Sequence, residues 1–143
     1  MQSVYPKKVL KRFFEPKYME KMKNPDACGK AGNPACGDIL EMYIKVGKKK
    51  NKKEYIKKAR FLTLGCPAAI SVSDMICEMI EGKTIEQASK IKFDDVLKKL
   101  GKLPATKIHC SILGIEVLKK TINNLRGVKP PARTPRKKTY VNV

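Results

Sequence analysis

Between Ala59 and Ile70 the chain reads ARFLTLGCPAAI. An alternating apolar run ends at Gly65, a cysteine follows, and Pro67 opens a helical pattern. Proline suits the first helical position because its missing N–H would have no intrahelical partner there. Cys66 therefore stands at a strand-to-helix junction, where the free amides of a helix start attract an anion such as a thiolate. Two more cysteines fall at element ends: Cys110 repeats the arrangement in IHCSILGIEVLKK, and Cys36 precedes a strand in GNPACGDILEMYIKV. The three read as one metal or cluster site assembled from distant segments.

The flanking sequence says what carries that junction. Residues 7–23 mix Val9, Leu10, Phe13, Phe14 and Met22 with many lysines, and Val9 and Phe13, four apart, predict a short amphipathic helix before Pro16. Asn24 to Asp38, rich in Gly, Pro, Asn and Asp and without a period, reads as a loop that delivers Cys36. Ile39–Val46 alternates, with Leu40, Met42, Ile44 and Val46 on one side. Glu54–Leu64 is a second strand, with a break expected near Ala59, and the lysine-rich GKKKNKK between them is a solvated hairpin tip that discourages edge pairing.

From Cys66 to Ile80 the apolar residues recur at helical spacing and Gly82 supplies the stop. Thr84 with Gln87 makes a capping box for a short helix through Ser89. Asp94–Leu100 is another short helix, ended by Gly101. LPATK is an extended linker, and the last helix runs from about Ser111 to Leu125, with Leu113, Val117, Leu118, Ile122 and Leu125 inward. The reading is α+β: a small antiparallel sheet of two to three strands, covered on one face and packed against four to five helices. Residues 1–126 form the domain; 127–143 is a basic, proline-rich tail expected to be flexible and disordered.

Composition narrows the function classes. The 143 residues suffice for one core without disulfide staples. Lys and Arg outnumber Asp and Glu by 32 to 13, a net charge of +19. That balance favours acidic surfaces and is silent about fold. No apolar run reaches the length of a membrane span, and the charged start MQSVYPKKVLKR has no signal-peptide core, so a cytoplasmic location is expected. In a reducing compartment, cysteines at element ends are more often ligands or nucleophiles than disulfides. Gaps of 30 and 44 residues separate Cys36, Cys66 and Cys110, so local context carries the signal rather than spacing.

Iron and zinc both accept thiolate, and helix starts or nearby cations favour that form. Lys107 stands three residues before Cys110. Asp38 offers an oxygen ligand and His109 a nitrogen. Three thiolates with one competing oxygen or nitrogen make an unsymmetrical, partly labile site, whereas permanent electron-transfer centres prefer four cysteines. Cys77, on one helical face with Ile70 and Ile80, reads as core packing, and Cys28 as a surface thiol.

The motifs GNPACGD, ARFLTLGCPAAI with Ser71 following, EGKTIEQA and LPATKIHCSILG, in that order over about Tyr5 to Asn124, resemble the U-type iron-sulfur cluster assembly scaffolds of the IscU and NifU N-terminal kind. The resemblance implies a scaffold and carrier, not a conventional enzyme. On it a cysteine desulfurase of the IscS/NifS type delivers persulfide sulfur, iron joins, and a [2Fe-2S] cluster forms before transfer to apo-proteins. By matching motifs, Cys36, Cys66 and Cys110 are the cluster cysteines and Asp38 and His109 the additional candidate ligands. Cys110 is the persulfide acceptor and Lys107 its supporting cation. A [4Fe-4S] cluster on a homodimer, and zinc in the cluster-free form, are the further states it implies. Family members served by a dedicated Hsp70-type chaperone carry LPPVK where this chain has Leu103-Pro104-Ala105-Thr106-Lys107, so that partner is not carried over.

Two other functions fit the composition. One is a zinc-stabilised basic protein that binds nucleic acid; no aromatic platform is interleaved with the basic runs, so nucleic acid is not the expected partner. The other is a thiol sulfurtransferase acting through Cys110 alone.

Overall fold

The structure is a computed structural model that describes residues 5–33, 38–51, 53–64, 66–103 and 108–127; the side chains of Asn33, Asp38 and residues 109–111 lie outside that description. The element order is α1 (Lys7–Phe14), β1 (Ala27–Asn33), β2 (Asp38–Lys48), β3 (Glu54–Thr63), α2 (Pro67–Ile80), α3 (Ile85–Ser89), α4 (Phe93–Leu100) and α5 (Ile108–Leu125). The strands form one antiparallel sheet in the order β1-β2-β3.

Register sorts the sheet into two faces. Ala27, Gly29 and Ala31 pair with Ile44, Met42 and Leu40, which pair in turn with Ala59, Phe61 and Thr63. This set is the inner face: Leu40, Met42, Ile44, Ala59 and Phe61 are wholly buried. The opposite parity carries Cys28, Lys30, Glu41, Tyr43, Lys58 and Arg60.

Against the inner face lie α2 and α5. Every residue of α2 from Ala68 to Cys77 is buried, which marks it as the central helix. Its one buried charge, Asp74, is held by Arg12 of α1, Nη1 to Oδ2 at 2.7 Å, and by the Tyr18 amide at 2.8 Å. The free edge of β3 is covered by neighbouring chain: the Phe61 amide donates to Tyr18, and Ile56 exchanges hydrogen bonds with Gly82 and Lys83. A covered edge offers no template for a second chain.

Most helix boundaries follow the sequence signals. Cys66 is the N-cap of α2, Pro67 is its first residue, and Gly82 at φ +87° turns the chain out after it. Thr84 and Gln87 form the capping box of α3, and Gly101 at φ +95° ends α4. The solvated hairpin tip is also as expected, with its described lysines exposed.

Three expectations need correction. The segment read as a loop, Asn24 to Asp38, contains β1, whose sequence ACGKAGN has no β-branched or aromatic residue. It is a strand because its small residues let α5 lie directly on it: a Cβ on Gly29 would stand 2.3 Å from Thr121 Oγ1. Glycine inside a strand often marks such a close approach. β3 is unbroken at Ala59; the irregularity comes earlier, where Lys45 faces Lys58 and Val46 faces Ile56, leaving Lys57 as the extra residue of a bulge. Finally, α5 begins at Ile108, so His109 and Cys110 lie inside its first turn rather than ahead of it. The expected tail is outside the described residues apart from Gly127.

Candidate functional site

Three chain ends meet at one end of the sheet. β1 finishes at Asn33, paired with Asp38 at the start of β2. Next to that start, β3 leaves the sheet: Leu40 pairs with Thr63, and the Leu64 amide donates to the Ile39 carbonyl at 3.3 Å. Thr63 Oγ1 donates to the same carbonyl at 2.7 Å. Two residues on, Cys66 caps α2 in an extended conformation, φ −78° and ψ 173°, and its carbonyl accepts the first helical bond from Ile70. The Cys66 thiol is free, half-buried, and makes no capping hydrogen bond.

The third end is the start of α5. Asn124 Nδ2 donates to the Cys28 carbonyl at 2.6 Å, Thr121 sits over Gly29, and Lys120 Nζ donates to the Lys30 carbonyl. As β1 advances, α5 therefore runs backward. From Thr121 to Cys110 is about 16 Å along a helix, and from Gly29 to Asn33 about 13 Å along a strand. The first turn of α5 thus draws level with the end of β1. A second seam agrees: a Cβ on Gly114 would lie 3.0 Å from Ile76 Cδ1 and 3.2 Å from Val72 Cγ1. Gly114 is six residues beyond the start of its helix and Val72 five beyond the start of its own. The two helices run parallel, and their amide-bearing ends open side by side.

The fold thus brings together the backbone of Asp38, the N-cap Cys66, and the helical turn holding His109 and Cys110. Cys36 and Lys107 lie outside the described residues, as do the side chains of Asp38, His109 and Cys110. Among the described residues no three His, Cys, Asp or Glu side chains are grouped as a metal site. The other two cysteines are elsewhere. Cys77 is fully buried in α2, and burial raises its thiol pKa well above the usual range. Cys28 pairs with Tyr43 on the outer face of the sheet, five residues from Asn33, and burial raises its thiol pKa too. Both are therefore kept as protonated thiols.

Two apolar side chains that the sequence pattern did not single out for this end are exposed there: Leu64, 83% exposed beside Cys66, and Ile112, 38% exposed on the second turn of α5. Leu64 is the last apolar residue of an alternating run and Ile112 lies in an apolar stretch, so neither exposure has a signal in the sequence.

A family model, NifU-like N terminal domain, matches residues 4–130. The chain belongs to this family. Among curated relatives, the iron-sulfur cluster assembly scaffold protein IscU 1 of Archaeoglobus fulgidus is 46% identical over 119 residues, 83% of this chain and 74% of that protein. The IscU of Escherichia coli is 38% identical over 126 residues, 86% of this chain and 94% of the relative. The nitrogen fixation protein NifU of Nostoc is 41% identical over 130 residues, 87% of this chain and 42% of that protein. Solved structures give the same fold. A NifU-like N-terminal protein from Brucella abortus superposes with a TM-score of 0.65 at 14% identity, covering 88% of this chain and 96% of its own. A SufU scaffold protein from Fervidobacterium islandicum gives 0.63 at 18% identity, covering 83% and 96%.

Proposed function

We propose that this chain is a scaffold on which an iron-sulfur cluster, of the [2Fe-2S] type, is assembled from iron and persulfide sulfur and then passed to apo-proteins. What supports the reading is that the Asn33–Asp38 pair, the N-cap Cys66 and the start of α5 lie at one end of the sheet, in a chain whose curated relatives are named as iron-sulfur cluster assembly scaffolds.

The cluster is cargo rather than a resident cofactor. Its iron is held in this reading by Cys36, Cys66 and Cys110, with Asp38 or His109 as the fourth ligand, and zinc takes the same donors when no cluster is present. Three soft thiolates suit iron-sulfide, and one harder oxygen or nitrogen keeps the hold releasable. Cys66 contributes from a helix start, where unpaired amides and the helix dipole favour an anionic centre. Cys110 accepts persulfide sulfur from a cysteine desulfurase. Transfer of the outer sulfur to the Cys110 thiolate forms one S–S bond, breaks the one in the donor, and returns the donor cysteine as thiolate. Lys107 supplies a cation beside that exchange. The protein turns over no substrate of its own and works as a carrier in the cytoplasm. Residues 1–126 form the scaffold domain, with 127–143 as an appended basic tail.

The test is anaerobic reconstitution of the full chain with a cysteine desulfurase, cysteine and ferrous iron. Visible sulfur-to-iron charge-transfer absorption, with about two iron and two sulfide per cluster, is the expected outcome. A colourless product with the three cysteines intact would overturn the reading.

A further inference from the structure

Away from that end, residues of α1, α2 and α4 line an open cavity of about 470 Å³. Five lysines line it: Lys8 and Lys11 from α1, Lys17 from the segment after it, and Lys98 and Lys99 from α4. Arg12 and Asp74 also line it. The guanidinium is committed, with Nη1 on Asp74 at 2.7 Å and Nη2 on Glu78 at 2.6 Å, so these charges largely cancel. Among the described residues Glu15 is the one other carboxylate in the lining. Among the described residues none of the five lysine ammoniums forms an ion pair.

Five unpaired cations drawn from three segments repel one another, which costs the fold stability. Part of the pattern has a structural reason: Lys11 sits in the last turn of α1, and Lys98 and Lys99 in the last turn of α4, where cations complement the helix dipole. Lys8 does not fit that account, because it is in the first turn of α1, where a cation opposes the dipole. Lys17 is in no helix. A ligand that neutralises all five explains them together.

We propose that this cavity binds a multivalent phosphate chain. Its volume is that of a small-molecule site, and lysine binds phosphate as a point charge without demanding a fixed geometry. Among the described residues no aromatic side chain lines it, so a nucleobase finds no stacking surface there. The recognised group is thus the chain shared by inorganic tripolyphosphate and nucleoside triphosphates. Bound there, the anion bridges α1 and α4 across α2 and stabilises the fold through binding linkage. This site is separate from the cysteine-bearing end and stands whether or not a cluster is assembled.

The experiment is titration calorimetry and thermal unfolding of the full chain at physiological salt, with tripolyphosphate, ATP and AMP as probes. Tripolyphosphate and ATP are expected to bind once per chain and raise the unfolding temperature, with AMP far weaker. Lys11→Gln/Lys98→Gln/Lys99→Gln should weaken both by about tenfold or more. The charge-matched control Lys48→Gln/Lys49→Gln/Lys50→Gln, at the exposed hairpin tip, should bind like the parent. All six positions are exposed, so circular dichroism should report an unchanged fold. Equal weakening in the two triple variants, several sites per chain, or no saturable binding would reduce the effect to the general attraction of a +19 chain for polyanions and overturn the proposal. So would a response to ATP with tripolyphosphate silent, or tighter binding of an oligoglutamate peptide than of tripolyphosphate.

Discussion

Thr121 closes over Gly29 so tightly that a methyl group on the strand would meet its Oγ1 at 2.3 Å and its backbone nitrogen at 2.8 Å. The contact fixes the slide of α5 along β1, because Thr121 Oγ1 is itself tied back to the Val117 carbonyl at 2.7 Å. The position of Cys110 relative to the end of β1 follows from that one seat.

Gly29→Ala should therefore force backbone apart rather than tip a flexible side chain aside, at a cost of about 3 kcal/mol, or roughly 10 °C in unfolding temperature for a domain of this size. Gly82→Ala is the contrast. Its φ of +87° strains any side chain, but nothing lies within 4 Å, so about 1 kcal/mol is expected. Denaturant unfolding of the two variants separates packing from conformational strain. A smaller loss at Gly29 than at Gly82 would contradict the seat.

The same contact explains where the sequence was legible and where it was not. β2, β3 and the helices announce themselves through period and caps: Leu40, Met42 and Ile44 alternate, Pro67 and Gly82 bracket α2, and Thr84 pairs with Gln87. β1 does not, because what makes it a strand is the partner above it, and a helix lying this close selects Ala and Gly, residues depleted in strands. The sequence pattern places the start of α5 too late because cysteine and histidine carry little helical signal. The segments that meet at the sheet end were legible as motifs, since Cys66 is placed by its own junction. The lysine cavity was not, since Lys98 lies far in sequence from Lys8 and Lys17 and only packing gathers them.

Arg12 and Asp74 give a pH-dependent prediction. Burial raises the Asp74 carboxyl pKa, and the bonds from the Tyr18 amide and Arg12 pull it back only in part. With its folded pKa above the unfolded one, ionising Asp74 lowers stability as pH rises from the usual carboxylate value through the raised one, after which the loss is constant. Arg12→Met strips the compensating charge, raises that pKa further and carries the loss to higher pH. The deficit relative to the parent should grow between pH 5 and pH 7.5, reaching about 3 kcal/mol. Arg12→Met/Asp74→Asn should recover part of it. Urea unfolding at the two pH values checks the sign; a deficit that shrinks on going to pH 7.5 would be inconsistent with a buried carboxylate left without its partner.

The cysteines divide by position. Cys66→Ser should abolish stable reconstitution, whereas Cys28→Ser, on the outer face and five residues from the end of β1, should assemble cluster like the parent. Cys77→Ser should also assemble cluster but unfold more easily, by about 1–2 kcal/mol, since a hydroxyl placed in the fully buried core loses water without a designed partner. Iron and sulfide content after desalting, with melting curves on the same samples, reads both effects. Loss of cluster in Cys28→Ser at unchanged stability would bring the outer face into the chemistry and break the division.

The last prediction concerns release. Asp38 opens β2, paired with Asn33, two residues after Cys36 and beside the Ile39 carbonyl that anchors the exit of β3. On the scaffold reading its carboxylate is the hard donor among soft ones and so the weak point in the grip on an iron-sulfide centre. Asp38→Ala should lengthen the lifetime of the reconstituted cluster several-fold and slow its transfer to an apo-ferredoxin by a similar factor, with the melting temperature of the cluster-free protein unchanged because the position is the first of its strand. Absorbance decay and transfer rate measured on one preparation settle the point: longer life with slower transfer identifies Asp38 as the release ligand, while a shorter life would make it a holding ligand and shift the labile role to His109.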